Sequence, residues 1–258
     1  MAPGSLAIRL PSGLFRRRAD HNGLSQERDC ELFQVQVGHI CGLGDDICSS
    51  DRRGGANMIR PEEALAVLRE GNRAFLSDDR LQPPLDRAVR LRLAAGQSPF
   101  AAYVSCSDSR VPPELLFGRG LGELFIVRNA GNTLDTSALG SLEFAVSVLG
   151  VPLIVVMGHE ACGAVQAAMA VVRENARFPG NIGKMIQPII PAVLEAGTCG
   201  DGCIEAAVRQ NVRHVVRELR EDASPIILDP QKRGELLVVG AYYELASGAV
   251  DFFDVPAA

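Results

Sequence analysis

Short apolar segments alternate with helical patterns along most of this chain, and that alternation limits its fold most strongly. Residues 152–159, PLIVVMGH, form a nearly continuous apolar run of the length typical of a strand that is buried on both faces. The next segment, CGAVQAAMAVVREN at 162–175, has helical spacing and begins at a cysteine. We therefore predict an α/β domain with a mainly parallel central β-sheet flanked by α-helices.

Further elements follow from the same reasoning. Pro61 stands at a helix-start position with two glutamates behind it, which suits the positive end of the helix dipole. Gly150 is a stop signal for the helical pattern that precedes it. Strands are predicted at 100–106, 123–132, 152–159, 225–229 and 235–244, and helices at 60–75, 136–150, 162–175 and 203–222.

Composition excludes several classes of protein. The chain has 258 residues, of which 47% are hydrophobic, so it can bury a sizeable core. Its net charge is −5 and it lacks a basic stripe, which argues against a nucleic-acid partner. The longest uncharged run, 144–158, is too short to span a membrane and is interrupted by Gly150 and Pro152. We therefore expect neither a nucleic-acid nor a membrane partner.

Residues 1–57 differ from the rest of the chain. Their periodicity is weak and turn formers are frequent, so we predict a poorly structured N-terminal extension of unknown role, followed by a catalytic domain at 58–258. The arginine-rich segment FRRRADHNG is not followed by an apolar stretch, although a targeting role stays open. A cytoplasmic location is the default expectation.

The chain has seven cysteines and no segment that resembles a secretory signal, which favours a reducing compartment. Some thiols can then be metal ligands instead of disulfide partners. Cys30, Cys41 and Cys48 have no recognisable ligand spacing, and Cys199 and Cys203 read as a surface pair before a helix.

Two predicted strands end in reactive side chains. One ends VSCSDSR, with Cys106, Asp108 and Arg110, and the other ends VMGHEACG, with His159 and Cys162. Ligands of open α/β sheets bind outside the carboxyl ends of the strands. If the two strands are neighbours, two thiols and one imidazole converge there. Such a set suits tetrahedral zinc with one coordination position left for solvent. Equally, each cysteine could be a small buried hydrophobe and the histidine an ordinary buried polar group.

CSDSR followed by GHEACGAV resembles the paired signature of the β-class carbonic anhydrases, and the likeness covers residues 58–258. This resemblance implies that Cys106, His159 and Cys162 bind one Zn²⁺ per subunit. It also implies that Asp108 and Arg110 form the catalytic pair beside the metal.

The same resemblance assigns a substrate pocket to Gln97, Phe125 and Phe144. Some family members have Tyr at the position of Phe144, so a hydroxyl is absent here. A homodimer or a higher even homo-oligomer, with active sites near the subunit interface, is also implied.

The implied reaction is the reversible hydration of CO2 to bicarbonate and a proton, by attack of zinc-bound hydroxide on a small-molecule substrate. Asp108 either stays paired with Arg110 or occupies the fourth metal position and closes the site. Two alternatives remain open: hydrolysis of carbonyl sulfide or carbon disulfide on the same fold, and a non-catalytic module with structural zinc.

Overall fold

A computed structural model of the protein describes residues 59–77, 83, 85–197 and 203–256. The expectations for residues 1–57, for Cys199 and for the Cys203 side chain lie outside the described residues. Within the described part, no helix has both the length and the apolar character that crossing a membrane requires.

The described residues form one five-stranded sheet in the order β2-β1-β3-β4-β5. Neighbouring strands from β2 to β4 run parallel, and β5 is antiparallel to β4. The predicted mainly parallel sheet with flanking helices is therefore confirmed. The strands are β1 Ala101–Cys106, β2 Leu124–Asn129, β3 Leu153–His159, β4 Leu237–Tyr243 and β5 Val250–Asp254.

Nine α-helices lie in the described residues: α1 Pro61–Leu76, α2 Arg87–Leu93, α3 Pro113–Leu116, α4 Thr136–Ser147, α5 Gly163–Glu174, α6 Ile182–Ile186, α7 Ile190–Ala196, α8 Cys203–Arg217 and α9 Pro225–Lys232. A 3-10 turn, Gln187–Ile189, separates α6 from α7, and a π-helical turn, Glu218–Asp222, extends α8.

Strands β1 and β3 are buried along their whole length, as their uninterrupted apolar sequences predict. Successive side chains of β1 point to opposite faces. Tyr103 packs in a cluster with α1 residues such as Leu68, whereas Val104 packs with Leu142 of α4 and Val212 of α8. The sheet is thus covered on both faces, and its strand ends are the places where chemistry can reach solvent.

Helix α8 lies directly against β3 and β4 because both strands have a glycine beneath it. A Cβ atom at Gly158 would lie 2.6 Å from Cγ1 of Val208, and one at Gly240 would lie 2.9 Å from Cγ1 of Val212. Both distances are shorter than the van der Waals contact between two carbon atoms, so a side chain at either position would clash with α8. The absence of these two side chains therefore sets how closely α8 approaches the sheet.

The predicted strand at 225–229 is wrong, because this segment begins helix α9. Ser224 has the extended backbone of an N-cap residue and Pro225 occupies the first helical turn. Its short apolar run does not distinguish a strand from a helix, and only Ile227 of this helix is buried. The sequence prediction also missed β5, an edge strand whose five residues are not strictly alternating.

Candidate metal centre

The two strands that end in reactive side chains are neighbours, which is the condition for their side chains to converge. β1 and β3 pair in parallel, with Ser105 opposite Met157. Cys106 is the last residue of β1 and His159 the last residue of β3. Their parallel pairing brings both side chains to the same edge of the sheet.

Cys106, His159 and Cys162 form a compact buried group. Their candidate ligand atoms all lie within 4.8 Å of one another, and the two Sγ atoms are 4.0 Å apart. Cys106 is 5% exposed, His159 0% and Cys162 1%. We refer to these three residues as the Cys-His-Cys cluster.

A tight turn brings Cys162 back toward His159. Ala161 has a left-handed backbone, with φ of 53°, and Cys162 is the extended N-cap residue of α5. The backbone N–H groups of Ala164 and Val165, in the first turn of α5, favour the ionised form of the Cys162 sulfur. The helix start therefore directs donors at a side chain that gains negative charge on ionisation.

Hydrogen bonding decides which nitrogen of His159 faces the cluster. Nδ1 lies 2.8 Å from the carbonyl oxygen of Glu160, and because a carbonyl only accepts, Nδ1 carries the proton. Nε2 is then left with a lone pair, and it is buried without a hydrogen-bond partner among the residues that the structure describes. An orphaned buried nitrogen beside two thiols is a polar arrangement that a metal ion would satisfy. The donor set, two sulfurs and one imidazole nitrogen, suits zinc.

The two thiols influence each other's ionisation. A hydrogen bond from the Cys162 thiol lowers the pKa of Cys106. The same contact with Cys106, followed by burial, raises the pKa of Cys162. Both thiols therefore ionise together only when a cation compensates their charge.

Asp108 lies beside the cluster and is held by Arg110. Arg110 Nε donates to Asp108 Oδ1 at 2.9 Å and Nη2 donates to Oδ2 at 2.7 Å. Asp108 Oδ2 lies 3.9 Å from His159 Nε2. The hydrogen bonds from the Arg110 side chain hold the pKa of the Asp108 carboxyl below its usual range, so it is ionised.

Arg128 is a residue of this region that the sequence reasoning missed. From β2 it donates to the carbonyl oxygens of Cys106 at 2.9 Å and of Asp108 at 2.7 Å. It thereby fixes the backbone that carries the ligand candidate and its neighbouring carboxylate. The available signal was an arginine inside an otherwise apolar strand segment, LFIVRN.

Within one chain, the structure does not bring Gln97, Phe125 and Phe144 to the cluster. Gln97 is exposed in the segment before β1, and Phe125 pairs with Ala102 near the start of that strand. At about 3.3 Å per residue, Ala102 lies about 13 Å along β1 from Cys106. The rings of Phe125 and Phe144 are neighbours, with centroids 6.3 Å apart, and Phe144 is 41% exposed.

Comparison with known proteins agrees with this architecture. The family model for carbonic anhydrase matches residues 101–250. Carbonic anhydrase 2 of Mycobacterium tuberculosis is 38% identical over 188 residues, covering 73% of this chain and 90% of the relative. The carbonic anhydrase of Mycolicibacterium smegmatis is 37% identical over 191 residues, covering 74% of this chain and 92% of the relative.

Solved structures give the same answer for the fold. A tetrameric β-carbonic anhydrase from Sordaria macrospora superposes with a TM-score of 0.59 at 26% identity, covering 66% of this chain and 87% of the other. The Coccomyxa β-carbonic anhydrase in complex with acetazolamide gives 0.58 at 29% identity, covering 73% and 86%.

The chain belongs to the β-class carbonic anhydrase family. It is accordingly an enzyme, and the general reaction of its family is the hydration of CO2.

Proposed function

We propose that this protein catalyses the reversible hydration of CO2 to bicarbonate and a proton, with one Zn²⁺ bound by Cys106, His159 and Cys162. The observation that carries the proposal is the Cys-His-Cys cluster, in which a buried His159 Nε2 faces two thiols and has no hydrogen-bond partner in the described part of the chain. We further propose that residues 58–258 form the catalytic domain. A reducing compartment such as the cytoplasm suits ligand thiols that must stay unoxidised.

The donor set supports a catalytic metal over a structural one. Three protein ligands leave one tetrahedral position for solvent or substrate, whereas structural zinc takes four protein ligands. A bound Zn²⁺ supplies a hydroxide nucleophile at neutral pH, because it lowers the pKa of its water ligand to about 7. Because all three side chains of the cluster are buried, few water molecules can reach the site.

Asp108 and Arg110 act on the nucleophile and not on the metal. Both Asp108 oxygens accept hydrogen bonds from Arg110, which favours a carboxylate that stays out of the fourth position. Its Oδ2 would accept a hydrogen bond from the hydroxide nucleophile and so orient the lone pair of the hydroxide toward the carbon of CO2. Arg128 supports this arrangement by holding the backbone of Cys106 and Asp108.

The substrate pocket is completed by a second copy of the chain. Gln97, Phe125 and Phe144 lie toward the other end of the strands from their own cluster, and Phe144 is an exposed aromatic side chain that a partner would cover. A homodimer or a higher even homo-oligomer would bring them to the partner's metal, and one structural relative is described as tetrameric. Aromatic walls suit CO2, which is linear and carries no net charge.

Stopped-flow CO2 hydration, with zinc content measured on the same sample, tests this function. We expect turnover to scale with bound zinc. We also expect it to rise with pH as the zinc-bound water ionises, with a pKa of about 7. A zinc-replete protein that is inert from about pH 6 to about pH 9 would indicate a structural metal instead. Faster turnover of carbonyl sulfide than of CO2 by the same sample would reassign the substrate.

A further inference from the structure

Glu160 immediately follows His159 and extends the pairing of β3 with β4. Its backbone N–H donates a hydrogen bond to the carbonyl oxygen of Tyr243, at 2.8 Å. In a parallel ladder, a residue that donates to one residue of the neighbouring strand also accepts, through its carbonyl, from the residue two positions further along. The regular ladder would therefore direct the Leu245 N–H at the Glu160 carbonyl oxygen.

The hydrogen bond that the structure contains at this point is different. The Leu245 N–H donates to Oε2 of the Glu160 side chain, at 2.9 Å. The side chain therefore replaces the carbonyl of its own residue as the acceptor, a competition with the main chain that polar side chains can enter. The Glu160 carbonyl oxygen is left for another donor, and it lies 2.8 Å from Nδ1 of His159.

The same position is where the chain leaves the direction of β3. Ala161, the next residue, has a left-handed backbone with φ of 53°, and Cys162 follows it as the N-cap residue of α5. The Glu160 carbonyl thus departs from the ladder at the turn that brings the second cysteine to the cluster. Because the Glu160 carboxylate accepts the Leu245 N–H, the turn leaves no unpaired donor on β4's side.

We propose that Glu160 is a positioning residue of the metal centre: its carboxylate accepts the Leu245 N–H, which leaves its carbonyl oxygen free to hold the His159 ring through Nδ1. This inference rests on the proposed function, because it takes His159 as a zinc ligand. A ring that donates through Nδ1 presents the lone pair of Nε2 to the cluster. Loss of such supporting contacts typically lowers metal affinity by about 10- to 100-fold.

Removal of the carboxylate has a definite consequence. In Glu160→Leu, the Leu245 N–H has no side-chain acceptor and takes the carbonyl oxygen of residue 160, as in a regular ladder. Nδ1 of His159 then loses its acceptor, and the ring also adopts the form with its proton on Nε2, which cannot bind a metal through that nitrogen. We expect the dissociation constant for Zn²⁺, measured by competition with a chromogenic chelator, to rise by about 10-fold or more.

The tautomer of His159 gives a readout that does not depend on activity. Imidazole ¹H–¹⁵N correlation spectra are recorded on the full chain under reducing conditions, before and after Zn²⁺ is added, and His159→Asn identifies the signals of this ring. We expect the wild type to carry the proton on Nδ1 in both states. Glu160→Leu should show the form protonated on Nε2 before zinc is added.

Two variants separate this hydrogen bond from general effects on the loop. Glu160→Gln keeps an oxygen that can accept from the Leu245 N–H, so it should retain the wild-type tautomer and zinc affinity. Glu244→Leu is the matched control. Glu244 lies in the same loop after β4, and its Oε2 accepts from the Ser247 hydroxyl at 2.8 Å. Its loss should leave both readouts unchanged.

Glu160→Ala gives the same readouts if the leucine variant does not fold. A ring that stays protonated on Nδ1, with unchanged zinc affinity, in either folded variant overturns the positioning role and leaves the proposed function intact. A loss of affinity in Glu160→Gln as large as that in Glu160→Leu overturns the exchange of acceptors as its cause. Wild-type His159 signals that do not respond to Zn²⁺ overturn the proposed function itself, and this inference with it.

Discussion

Arg110 and Asp108 form an ion pair at the mouth of the cluster, where orientation matters more than stability. The Arg110 side chain is 55% exposed and that of Asp108 is 18% exposed. Pairs this open to water contribute roughly 0–1 kcal/mol to folding. The two parallel hydrogen bonds nevertheless fix the carboxylate plane beside His159 Nε2.

We therefore expect Arg110→Ala to lower CO2 turnover by about 100-fold or more, the size typical of a lost proton-handling group, while zinc content changes little. Stopped-flow kinetics and elemental analysis on one preparation measure both. Arg233→Ala is the matched control, since Arg233 is equally exposed at 55% and pairs with Glu235 far along the chain from the cluster. Parallel losses of zinc and turnover in Arg110→Ala would assign this arginine to metal retention.

Glu218 gives a pH-dependent expectation that is independent of the metal. Burial, with a smaller contribution from Asp222, raises the pKa of this half-buried carboxyl. The folded state thus binds its proton more tightly than the unfolded state. The free energy of unfolding therefore falls as pH rises from the unfolded pKa, about 4.3, through the raised folded value.

Glu218→Gln should remove this fall in the free energy of unfolding. The variant should therefore be more stable than the wild type at neutral pH, by on the order of 0.5 kcal/mol. At low pH, where the wild-type carboxyl is protonated, the two should be equally stable. Urea unfolding at several pH values measures this. Glu221→Gln, on the exposed side of the same turn, is the control. A gain of equal size at every pH would show that charge at Glu218 is not the cause.

The contact of α8 with β3 and β4 determines how closely this helix packs on the sheet. Gly158 and Gly240 are needed because Val208 and Val212 occupy the space of their missing side chains. Overpacking at such a contact destabilises proteins by about 1–3 kcal/mol. The element is therefore sensitive to a single methyl group.

Gly158→Ala should lower the free energy of unfolding by about 1–3 kcal/mol, because its Cβ would lie 2.6 Å from Val208 Cγ1 and 2.9 Å from Val212 Cγ2. Gly140→Ala should do the opposite. Gly140 is exposed in α4, a Cβ there meets nothing within 4 Å, and alanine favours a helix by about 0.5–1 kcal/mol. Denaturant unfolding of both variants tests the pair, and a neutral Gly158→Ala would disprove the close contact.

Some elements could be predicted from sequence because their signals are local. The buried strands β1 and β3 have continuous apolar runs, and α8 has valines at helical spacing. Helix α9 was predicted as a strand because the three apolar residues that follow Pro225 fit either structure. Edge strand β5 was missed because its pairing with β4 determines it more than its own pattern does.

The cluster could be predicted because the carboxyl ends of neighbouring parallel strands lie at the same edge of a sheet. Cys106 and His159, each at the end of a predicted strand, could therefore be placed together from their motifs. The role of Arg128 could not be predicted. It depends on hydrogen bonds to Cys106 and Asp108 on another part of the chain, and an arginine in a strand has many other uses.

The substrate pocket is a property of the whole molecule, because its three assigned residues do not meet the cluster within one chain. We expect the protein to be active only as an oligomer, since Gln97, Phe125 and Phe144 lie away from their own cluster. Co-expression of two variants tests this. Cys106→Ser removes a metal ligand from one subunit, and Phe144→Asp removes the aromatic wall that the other subunit would contribute.

Mixed oligomers of these two variants should regain activity, because an intact cluster in one subunit meets an intact Phe144 from the other. Turnover well above that of either variant alone is the expected result. A mixture of Cys106→Ser with His159→Asn is the control and should stay inactive, since neither subunit keeps three ligands. No recovery in the first mixture would assign Phe144 to its own subunit.

Zinc K-edge X-ray absorption on the active protein tests the central claim most directly, because it reports which atoms surround the metal. We predict two sulfur neighbours at about 2.3 Å and nitrogen or oxygen neighbours at about 2.0–2.1 Å, with one sulfur lost in Cys106→Ser. A zinc ion without sulfur neighbours, or an unchanged spectrum in that variant, would contradict it.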